Sequence, residues 1–323
     1  MAASGFKETN SDTDPLGEAA VEKRPSIDRI RPLGVVMGKP RDLQRHTESL
    51  APIAAALAER GEAAEFLARY NVDIPAIEDR EGYNPEFEFM YWLTGYADYA
   101  AMKDQLPELL SRDLTFLDFG GCTGRVTRHF LTARPRSQAT IAEVNVNYVN
   151  WVNTYFGENC RGIRVGPTPI IPVSDNAFDF AYCISVFTHI DHDEIYWLKE
   201  LVRVVKPQGR IYLTILSEHS WATMDKAVLL SIIKSEHEYN SNLASAVGGP
   251  MPAERISVQL EFGGLINNCN TFHSSAYIRR VWGQFATVER IVFGGHGEQT
   301  AVILRNNVKP NVFGAEKAST GTS

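Results

Sequence analysis

The most informative stretch of the chain is Phe116-Leu117-Asp118-Phe119-Gly120-Gly121-Cys122-Thr123-Gly124-Arg125. Its apolar start predicts a buried strand over Leu114–Phe119, and a helical pattern follows the glycines. Glycine lets a backbone turn sharply and lie close to a ligand, and the first turn of the next helix offers unpaired N–H groups. The stretch therefore predicts a strand–turn–helix unit that binds a ligand, although glycine also serves ordinary strand–helix turns.

Two acids narrow the choice of ligand. Asp118 lies two residues before the first glycine, where it would repel a pyrophosphate but suits a cationic or amine-bearing group. Glu143 ends the next predicted strand, 19 residues after Gly124, which is where an acid binds the ribose diol in nucleotide-binding βαβ folds. Together they indicate a ligand with a ribose, an amine and no pyrophosphate, which disfavours a dinucleotide dehydrogenase.

From this unit onward, short apolar runs alternate with amphipathic helical segments, as is typical of βαβ units and a parallel sheet. The predicted strands after the first are Ala139–Val144, Ile163–Val165, Phe178–Ile184, Arg210–Leu216, Val288–Phe293 and Ala301–Leu304. A turn is predicted at Pro207-Gln208-Gly209, and another at Gly294-Gly295-His296-Gly297. The last two strands therefore favour an antiparallel C-terminal hairpin.

The chain divides into five parts by pattern. Residues 1–40 predict a disordered arm, residues 41–112 a helical N-terminal extension, and residues 306–323 a disordered tail. Residues 113–305 form the α/β domain, with an inserted cap at about 219–271 where the alternation breaks. The aromatic run Phe89–Tyr96 in the extension predicts either core packing or a lid over the ligand.

The motifs resemble, in order and spacing, those of the class I, Rossmann-like S-adenosylmethionine-dependent methyltransferases. The glycine stretch is similar to the family's first motif, and Glu143-Val144-Asn145 is similar to its second. Asp175–Asp179 with the fourth strand, and Leu198–Gly209 before the fifth, resemble the later motifs. The resemblance implies an α/β fold with a Rossmann-like, seven-stranded, mostly parallel sheet and helices on both faces, and S-adenosyl-L-methionine as cofactor.

The resemblance also implies roles for individual residues. Asp118, Gly120 and Gly124 would line the methionine end of the cofactor, and Glu143 would hold the ribose hydroxyls. Val144 would pack beside the adenine, and Ser185 would lie near the sulfonium. The cofactor-binding residues that complete the first two motifs are Phe119, Gly121 and Asn145.

Two positions depart from the family pattern. Cys122 replaces the middle glycine, which puts the shape of the turn in doubt, with Gly121 next to it as compensation. Pro167 stands where an acid often meets the adenine amino group, so that adenine recognition would rest on backbone groups and apolar contacts.

The candidate catalytic residues are His189 and His219. They follow the fourth and fifth strands, and ligands of open α/β sheets lie beyond the carboxyl ends of the strands. A histidine accepts a proton near neutral pH, so either could act as a general base. A structural role for His189, and catalysis by proximity alone, stay open. His273 and His296 are weaker candidates, and His129 is assigned a structural or surface role.

Composition excludes several classes of protein. Of the 323 residues, 44% are hydrophobic and 22% are charged, which excludes wholesale disorder. The net charge of −7 argues against a non-specific nucleic-acid binder, because such binding needs a basic face. We expect a small-molecule partner, and neither a nucleic acid nor a membrane.

The cysteines and the apolar segments indicate the compartment. Cys122, Cys160, Cys183 and Cys269 form no C-x-x-C pair and have no metal-ligand spacing, which predicts reduced thiols and no metal site. The first 25 residues hold no apolar segment typical of a secretory signal, and the stretch near Ala227–Ile233 is far shorter than the ~20 residues that span a bilayer. We therefore expect a cytoplasmic protein.

The sequence predicts an S-adenosylmethionine-dependent methyltransferase that acts on an oxygen or nitrogen of a small molecule by in-line displacement. Two alternatives stay open at this point. One is a methyltransferase that acts on a macromolecule, protein more than RNA. The other is a non-catalytic protein that keeps the cofactor-binding fold, which the departures at Cys122 and Pro167 leave possible.

Overall fold

A computed structural model of the protein describes residues 72, 74–76, 79–80, 88–233, 243–259 and 269–307. The predicted arm at 1–40, the start of the predicted extension and the tail after residue 307 lie outside the described residues. Asn306 belongs to the fold, because its buried side-chain amide donates to the carbonyl oxygens of Val202 and Val205 at 2.9 and 2.7 Å.

A seven-stranded sheet runs through the domain in the order β3-β2-β1-β4-β5-β9-β8. Its strands are β1 (Thr115–Phe119), β2 (Gln138–Glu143), β3 (Cys160–Arg164), β4 (Phe178–Cys183), β5 (Val205–Ile215), β8 (Thr287–His296) and β9 (Gln299–Arg305). The first five are parallel, and β9 is antiparallel to both β5 and β8. The predicted α/β class, the mostly parallel sheet and the antiparallel C-terminal hairpin are confirmed.

The inner strands β1, β2, β4 and β9 are buried on both faces, which is why they read as nearly continuous apolar runs. Side chains alternate between two cores: Phe116 of β1 packs with Phe130 and Tyr182 on one face, and Leu117 packs with Leu198 on the other. Helices supply the outer layer of each core, so the predicted arrangement of helices on both faces is confirmed.

The helices have the following bounds. They are α1 (Glu88–Gln105), α2 (Pro107–Leu110), α3 (Thr127–Ala133), α4 (Val146–Tyr155), α5 (Glu194–Val204), α6 (Glu218–Thr223), α7 (Lys226–Ile233) and α8 (Ser275–Val281), with 3-10 turns at Phe187–His189 and Trp282–Gln284. Among the described residues, no helix combines the length and the apolar character that crossing a bilayer requires.

Three predicted boundaries are wrong for local reasons. The sequence pattern predicts one helix over Trp221–Glu236, but the structure has two, because Asp225 accepts hydrogen bonds from the N–H groups of Ala227 and Val228 and so starts α7. The predicted turn at Pro207-Gln208-Gly209 lies inside β5 as a bulge, since Val205 and Arg210 pair with Phe178 and Phe180. The hairpin turn comes after His296, not before it.

The described part of the predicted cap contains a second, two-stranded antiparallel sheet, β6 (Arg255–Gln259) and β7 (Cys269–His273). Glu194 at the start of α5 anchors this sheet. Its Oε2 accepts from Arg255 Nε at 2.6 Å and lies 3.0 Å from His273 Nε2. Burial acts to raise the pKa of Glu194, but these two partners and the Trp282 indole outweigh it and lower the pKa to about 2.

Helix α1 packs unusually close to the glycine turn. Tyr91, Trp92, Leu93 and Tyr96 are buried in the core, which confirms the core-packing interpretation for these residues. At Gly95 the helix touches the backbone of Arg125, and a Cβ there would stand 2.1 Å from the Arg125 carbonyl oxygen. Glycine at position 95 is therefore a condition for this approach.

We predict that Gly95→Ala destabilises the folded protein by about 2 kcal/mol, because the added methyl group forces α1 away from the turn. Urea unfolding of the full chain measures the effect. Gly283→Ala is the matched control, since a Cβ at that exposed position would lie 3.9 Å from Val288 and meet no close neighbour. A Gly95→Ala variant as stable as the control would contradict the close packing.

Candidate functional site

The glycine turn joins three strand ends at one edge of the sheet. The N–H of Gly120 donates to the carbonyl oxygen of Ala142 in β2 at 2.8 Å. Gly120 also has a left-handed φ of 74°, and a Cβ there would stand 2.4 Å from Val186, which follows β4. The carboxyl ends of β1, β2 and β4 are thereby brought together, which is where ligands bind in open α/β sheets.

Asp118 is buried at the centre of this edge. Its Oδ2 accepts from Thr127 Oγ1 and from Tyr182 OH, each at 2.7 Å, and a Cβ on Gly121 would come within 2.4 Å of the carboxyl group. Burial raises the pKa of Asp118 to about 6, although the two hydroxyls and the nearby Arg125 act in the opposite direction. Perturbed carboxyl groups of this kind cluster at functional sites.

Glu143 ties the end of β2 to the glycine turn. Its Oε1 accepts from the N–H groups of Val144 and Asn145 at 2.8 and 3.0 Å, and its Oε2 accepts from the N–H of Cys122 at 3.0 Å. Cys122 holds a left-handed φ of 49°, so the position keeps a backbone that favours glycine, at a cost of about 1 kcal/mol. The turn thus forms in spite of this departure from the family pattern.

The other predicted cofactor residues occupy different surroundings. The side chain of Val144 is 56% exposed beyond β2, and Asn145 caps α4 by accepting from the N–H of Asn147 at 2.9 Å. The side chain of Phe119 lies in the core against Trp197, so that only its backbone is at the turn. Gly124 lies at the end of the turn, where its N–H donates to the carbonyl oxygen of Gly121 at 2.8 Å.

Ser185 is held in a strained conformation after β4. Its φ is 58°, a left-handed value that is uncommon outside glycine and often marks functional sites. Thr214 accepts from its N–H, and Thr188 donates to its carbonyl oxygen, each at 2.8 Å. Its own Oγ accepts from Gln299 Nε2 at 2.8 Å. Several elements therefore fix the Ser185 hydroxyl at the rim of a cleft.

This cleft has a volume of about 360 Å³ and lies beside the glycine turn, beyond the ends of β4 and β5. Helix α1, the segment after β5, α6 and the β8–β9 turn supply its walls. The lining residues are Thr94, Asp98, Ser185, Leu216, Met224, His296, Glu298 and Gln299. Six of these eight residues are polar, and Leu216 and Met224 are apolar.

Neither of the two predicted catalytic histidines lines the cleft. His189 is exposed at the end of a 3-10 turn, and its Nδ1 donates to the carbonyl oxygen of Cys269 at 2.8 Å. His219 is half-buried in α6, where its ring stacks on Phe293 with ring centroids 5.9 Å apart. Of the remaining histidines, buried His129 has a structural contact, because its Nε2 lies 2.9 Å from the carbonyl oxygen of Trp92.

The histidine that does line the cleft is His296, one of the weaker candidates from the sequence. Its Nε2 lies 2.8 Å from Oδ1 of Asp98 in α1, and Arg125 forms an ion pair with the other oxygen of Asp98. Sequence reasoning missed Asp98 and Arg125 as site residues. No local signal marks this group, because its members come from the extension, the glycine turn and the last hairpin.

Part of the chain matches a known protein family. Residues 117–213 match the family model of a methyltransferase domain. No curated protein matches the chain.

Several solved structures are similar to the chain at low sequence identity. An S-adenosylmethionine-dependent methyltransferase from Methanosarcina mazei is 14% identical with a TM-score of 0.46, over 64% of this chain and 98% of that one. A 1,6-didemethyltoxoflavin-N1-methyltransferase from Burkholderia thailandensis, with bound S-adenosylhomocysteine, is 11% identical with a TM-score of 0.45, over 75% and 85%. A protein from Pyrococcus horikoshii is 14% identical with a TM-score of 0.44, over 65% and 90%.

We predict that Asp118→Asn stabilises the ligand-free protein, and more so as the pH rises. A carboxyl group whose pKa is raised from 3.8 to about 6 on folding contributes stability below pH 3.8 that is lost as the pH rises through 6. Relative to the wild type, the variant should therefore gain up to roughly 3 kcal/mol between pH 4 and pH 8.

Urea unfolding at a series of pH values measures this gain. Glu194→Gln is the matched control, because the pKa of Glu194 is lowered to about 2 and its carboxylate stabilises the folded state above pH 4.5. The control should therefore lose stability at neutral pH. An Asp118→Asn variant that loses stability in the same way would show that Asp118 is a structural carboxylate.

Proposed function

We propose that the chain, whose residues 117–213 match the model of a methyltransferase domain, is a class I S-adenosylmethionine-dependent methyltransferase that transfers a methyl group to an oxygen or nitrogen of a small-molecule acceptor. S-adenosylmethionine would be bound at the glycine turn, and the acceptor would be bound in the cleft beside it. When bound, the cofactor supplies an electrophilic methyl group on its sulfonium.

The observation that carries the proposal is the buried Asp118 carboxylate. Among the described residues it forms no ion pair, and burial raises its pKa to about 6. A buried charge of this kind is costly unless a cation reaches it. The methionine end of S-adenosylmethionine carries such a cation, its ammonium group, so the turn fits this cofactor.

The second acid fits the ribose. Three backbone N–H groups hold the Glu143 carboxylate beside the glycine turn, and a carboxylate is a natural acceptor for hydroxyl groups such as those of a ribose. Val144 beyond it is exposed and free to pack against an aromatic ring such as adenine. Pro167, which replaces the usual acid, leaves adenine recognition to contacts of this apolar kind.

The chain's own contribution to the reaction is positioning and exclusion of water. Gly120 and Val186 bring the cofactor turn against the segment that carries Ser185, at the rim of the cleft. Helix α1 and the β8–β9 turn close the cleft from two sides. Holding two reactants at a fixed angle and distance is the main demand of an in-line displacement.

The size and charge of the cleft support a small acceptor. A volume of about 360 Å³ lies near the lower end of the range for sites that enclose small molecules. The net charge of −7 disfavours a polyanionic acceptor such as RNA. The proposal accordingly includes no nucleic-acid or membrane partner, and the cytoplasmic location stays a prediction.

Calorimetry with S-adenosylhomocysteine tests the cofactor site. We predict that the wild type binds it, and that Asp118→Asn weakens binding tenfold or more, because a charge-assisted hydrogen bond contributes about 1.5–3 kcal/mol. Wild-type affinity should also fall as the pH drops through 6, where Asp118 becomes protonated. The exposed Glu158→Gln is the control and should bind like the wild type. No binding by folded wild-type protein would contradict the proposal.

Transfer of a labelled methyl group tests the acceptor class. S-adenosylmethionine labelled in its methyl group is incubated with the protein and a cell extract, and the products are separated into small-molecule and polymer fractions. We expect label in the small-molecule fraction. Label in protein or RNA alone would favour a macromolecular acceptor, and binding of cofactor without any transfer would favour a non-catalytic protein.

A further inference from the structure

The cleft holds a histidine–aspartate pair that neither the sequence motifs nor the family match assigns. His296 and Asp98 are 198 positions apart in the chain, and their side chains meet at 2.8 Å between Nε2 and Oδ1. Both line the cleft, together with Ser185 at the end of β4. The pair therefore faces the space that the proposed function gives to the methyl acceptor.

The hydrogen bond to Asp98 decides which nitrogen of His296 carries the proton. A carboxylate accepts hydrogen bonds and does not donate them, so Nε2 must be the protonated nitrogen of the neutral ring. Nδ1 then keeps its lone pair. This atom is buried, it has no partner among the described residues, and the side chain is 10% exposed. The neutral ring thus presents a basic nitrogen that nothing in the described chain uses.

The surroundings of Asp98 keep its carboxyl group ionised. Burial acts to raise its pKa, but the Arg125 guanidinium and the contact with His296 outweigh burial and lower the pKa below its ordinary value. Asp98 therefore stays ionised at neutral pH and can stabilise a positive charge on the ring. Gln105 of α1 fixes the adjacent strand by donating from Nε2 to the carbonyl oxygen of Gly295 at 2.8 Å.

A second acceptor atom lies in the same cleft. Gln299 donates from Nε2 to Ser185 Oγ, and its Oε1 is buried without a partner among the residues that the structure describes. His296 and Gln299, which carry these two unpartnered acceptor atoms, both line the cleft. Both atoms can accept a hydrogen bond from a ligand that carries donors.

We propose that His296 is the general base of the reaction and that the acceptor carries a proton on the atom that is methylated. The proposal rests on the proposed function above. The acceptor's lone pair forms the new bond to the methyl carbon, the electron pair of the broken carbon–sulfur bond stays on sulfur, and the acceptor's proton moves to His296 Nδ1. Asp98 is the positioning residue, which holds the ring and stabilises its charge.

This chemistry restricts the class of acceptor. A hydroxyl group, a phenol or an N–H of an amine or heterocycle has a proton to give, and Gln299 Oε1 can accept a second donor from the same molecule. A tertiary amine or a thioether has no such proton and would leave both atoms unused. We therefore expect the acceptor to be an O–H or N–H compound with at least one further donor.

Several charged and titratable groups face the ring and bear on its pH dependence. Asp98 approaches from α1, Arg125 from the glycine turn, and Glu298 from the hairpin turn. The ring of Tyr212 in β5 is 6.3 Å away, and burial raises the pKa of that phenol, so it stays neutral. His219 packs on the neighbouring Phe293.

Histidine NMR of the 15N-labelled protein, saturated with S-adenosylhomocysteine, tests the arrangement without an acceptor. We expect the neutral His296 ring to carry its proton on Nε2, and Asp98→Ala to remove this tautomer preference. A neutral ring with the proton on Nδ1 would overturn the proposal, because Nδ1 could then not accept the acceptor's proton.

Kinetics with labelled S-adenosylmethionine and the small-molecule fraction of an extract test the role. His296→Ala should lower kcat by 10²–10⁴ at pH 7 and keep the affinity for S-adenosylhomocysteine. His192→Ala is the control, because its side chain is 92% exposed on the surface. His189→Ala and His219→Ala test the two histidines that the sequence favoured, and both should retain most of the activity.

The outcomes separate this inference from the proposed function. If the wild type binds no S-adenosylhomocysteine, the proposed function fails. If the wild type binds it and transfers label, while His296→Ala keeps a rate within a few-fold of the wild type, the base assignment alone is wrong. A loss confined to His189→Ala or His219→Ala would also overturn it.

Discussion

The burial of the Asp118 carboxylate at the carboxyl end of β1 constrains everything built around it. Thr127 from α3 and Tyr182 from β4 each turn a hydroxyl towards it, and the glycine turn wraps it so closely that Gly121 has no room for a side chain. Two hydroxyls stabilise a buried carboxylate far less than the arginine, histidine and indole that surround Glu194. Glu194 is therefore a structural carboxylate, whereas we assign Asp118 to ligand binding.

The second constraint is the contact between α1 and the glycine turn. The absence of a side chain at Gly95 lets the helix touch the backbone of Arg125, and the same contact brings Asp98 to the Arg125 guanidinium. Asp98 then reaches His296 of the last hairpin. A single chain of contacts thus connects the proposed cofactor turn, the helix of the extension and the acceptor cleft, so that the extension helps to build the site.

The sequence predicts the parts of this structure that local pattern determines. The apolar runs of β1 and β4, the glycine turn and the acids Asp118 and Glu143 are each set by a few neighbouring residues, and all lie where they were expected. The sequence favours His189 and His219 as catalytic residues because they follow strands. A position after a strand does not, however, determine the direction in which a side chain points. The 3-10 turn buries Phe187 and leaves His189 on the surface. The pairing of Asp98 with His296 depends on how α1 packs against a hairpin that lies 198 positions further along the chain, and no local sequence pattern encodes such a contact.

A crystal structure of the protein with S-adenosylhomocysteine tests the central claim most directly, because it places both halves of the site at once. We predict that the ligand's ammonium group lies at hydrogen-bond distance from Asp118 and that its ribose hydroxyls donate to Glu143. Its sulfur should face the cleft between Ser185 and His296. A ligand whose ammonium group lies away from Asp118, or whose sulfur faces away from His296, would contradict it.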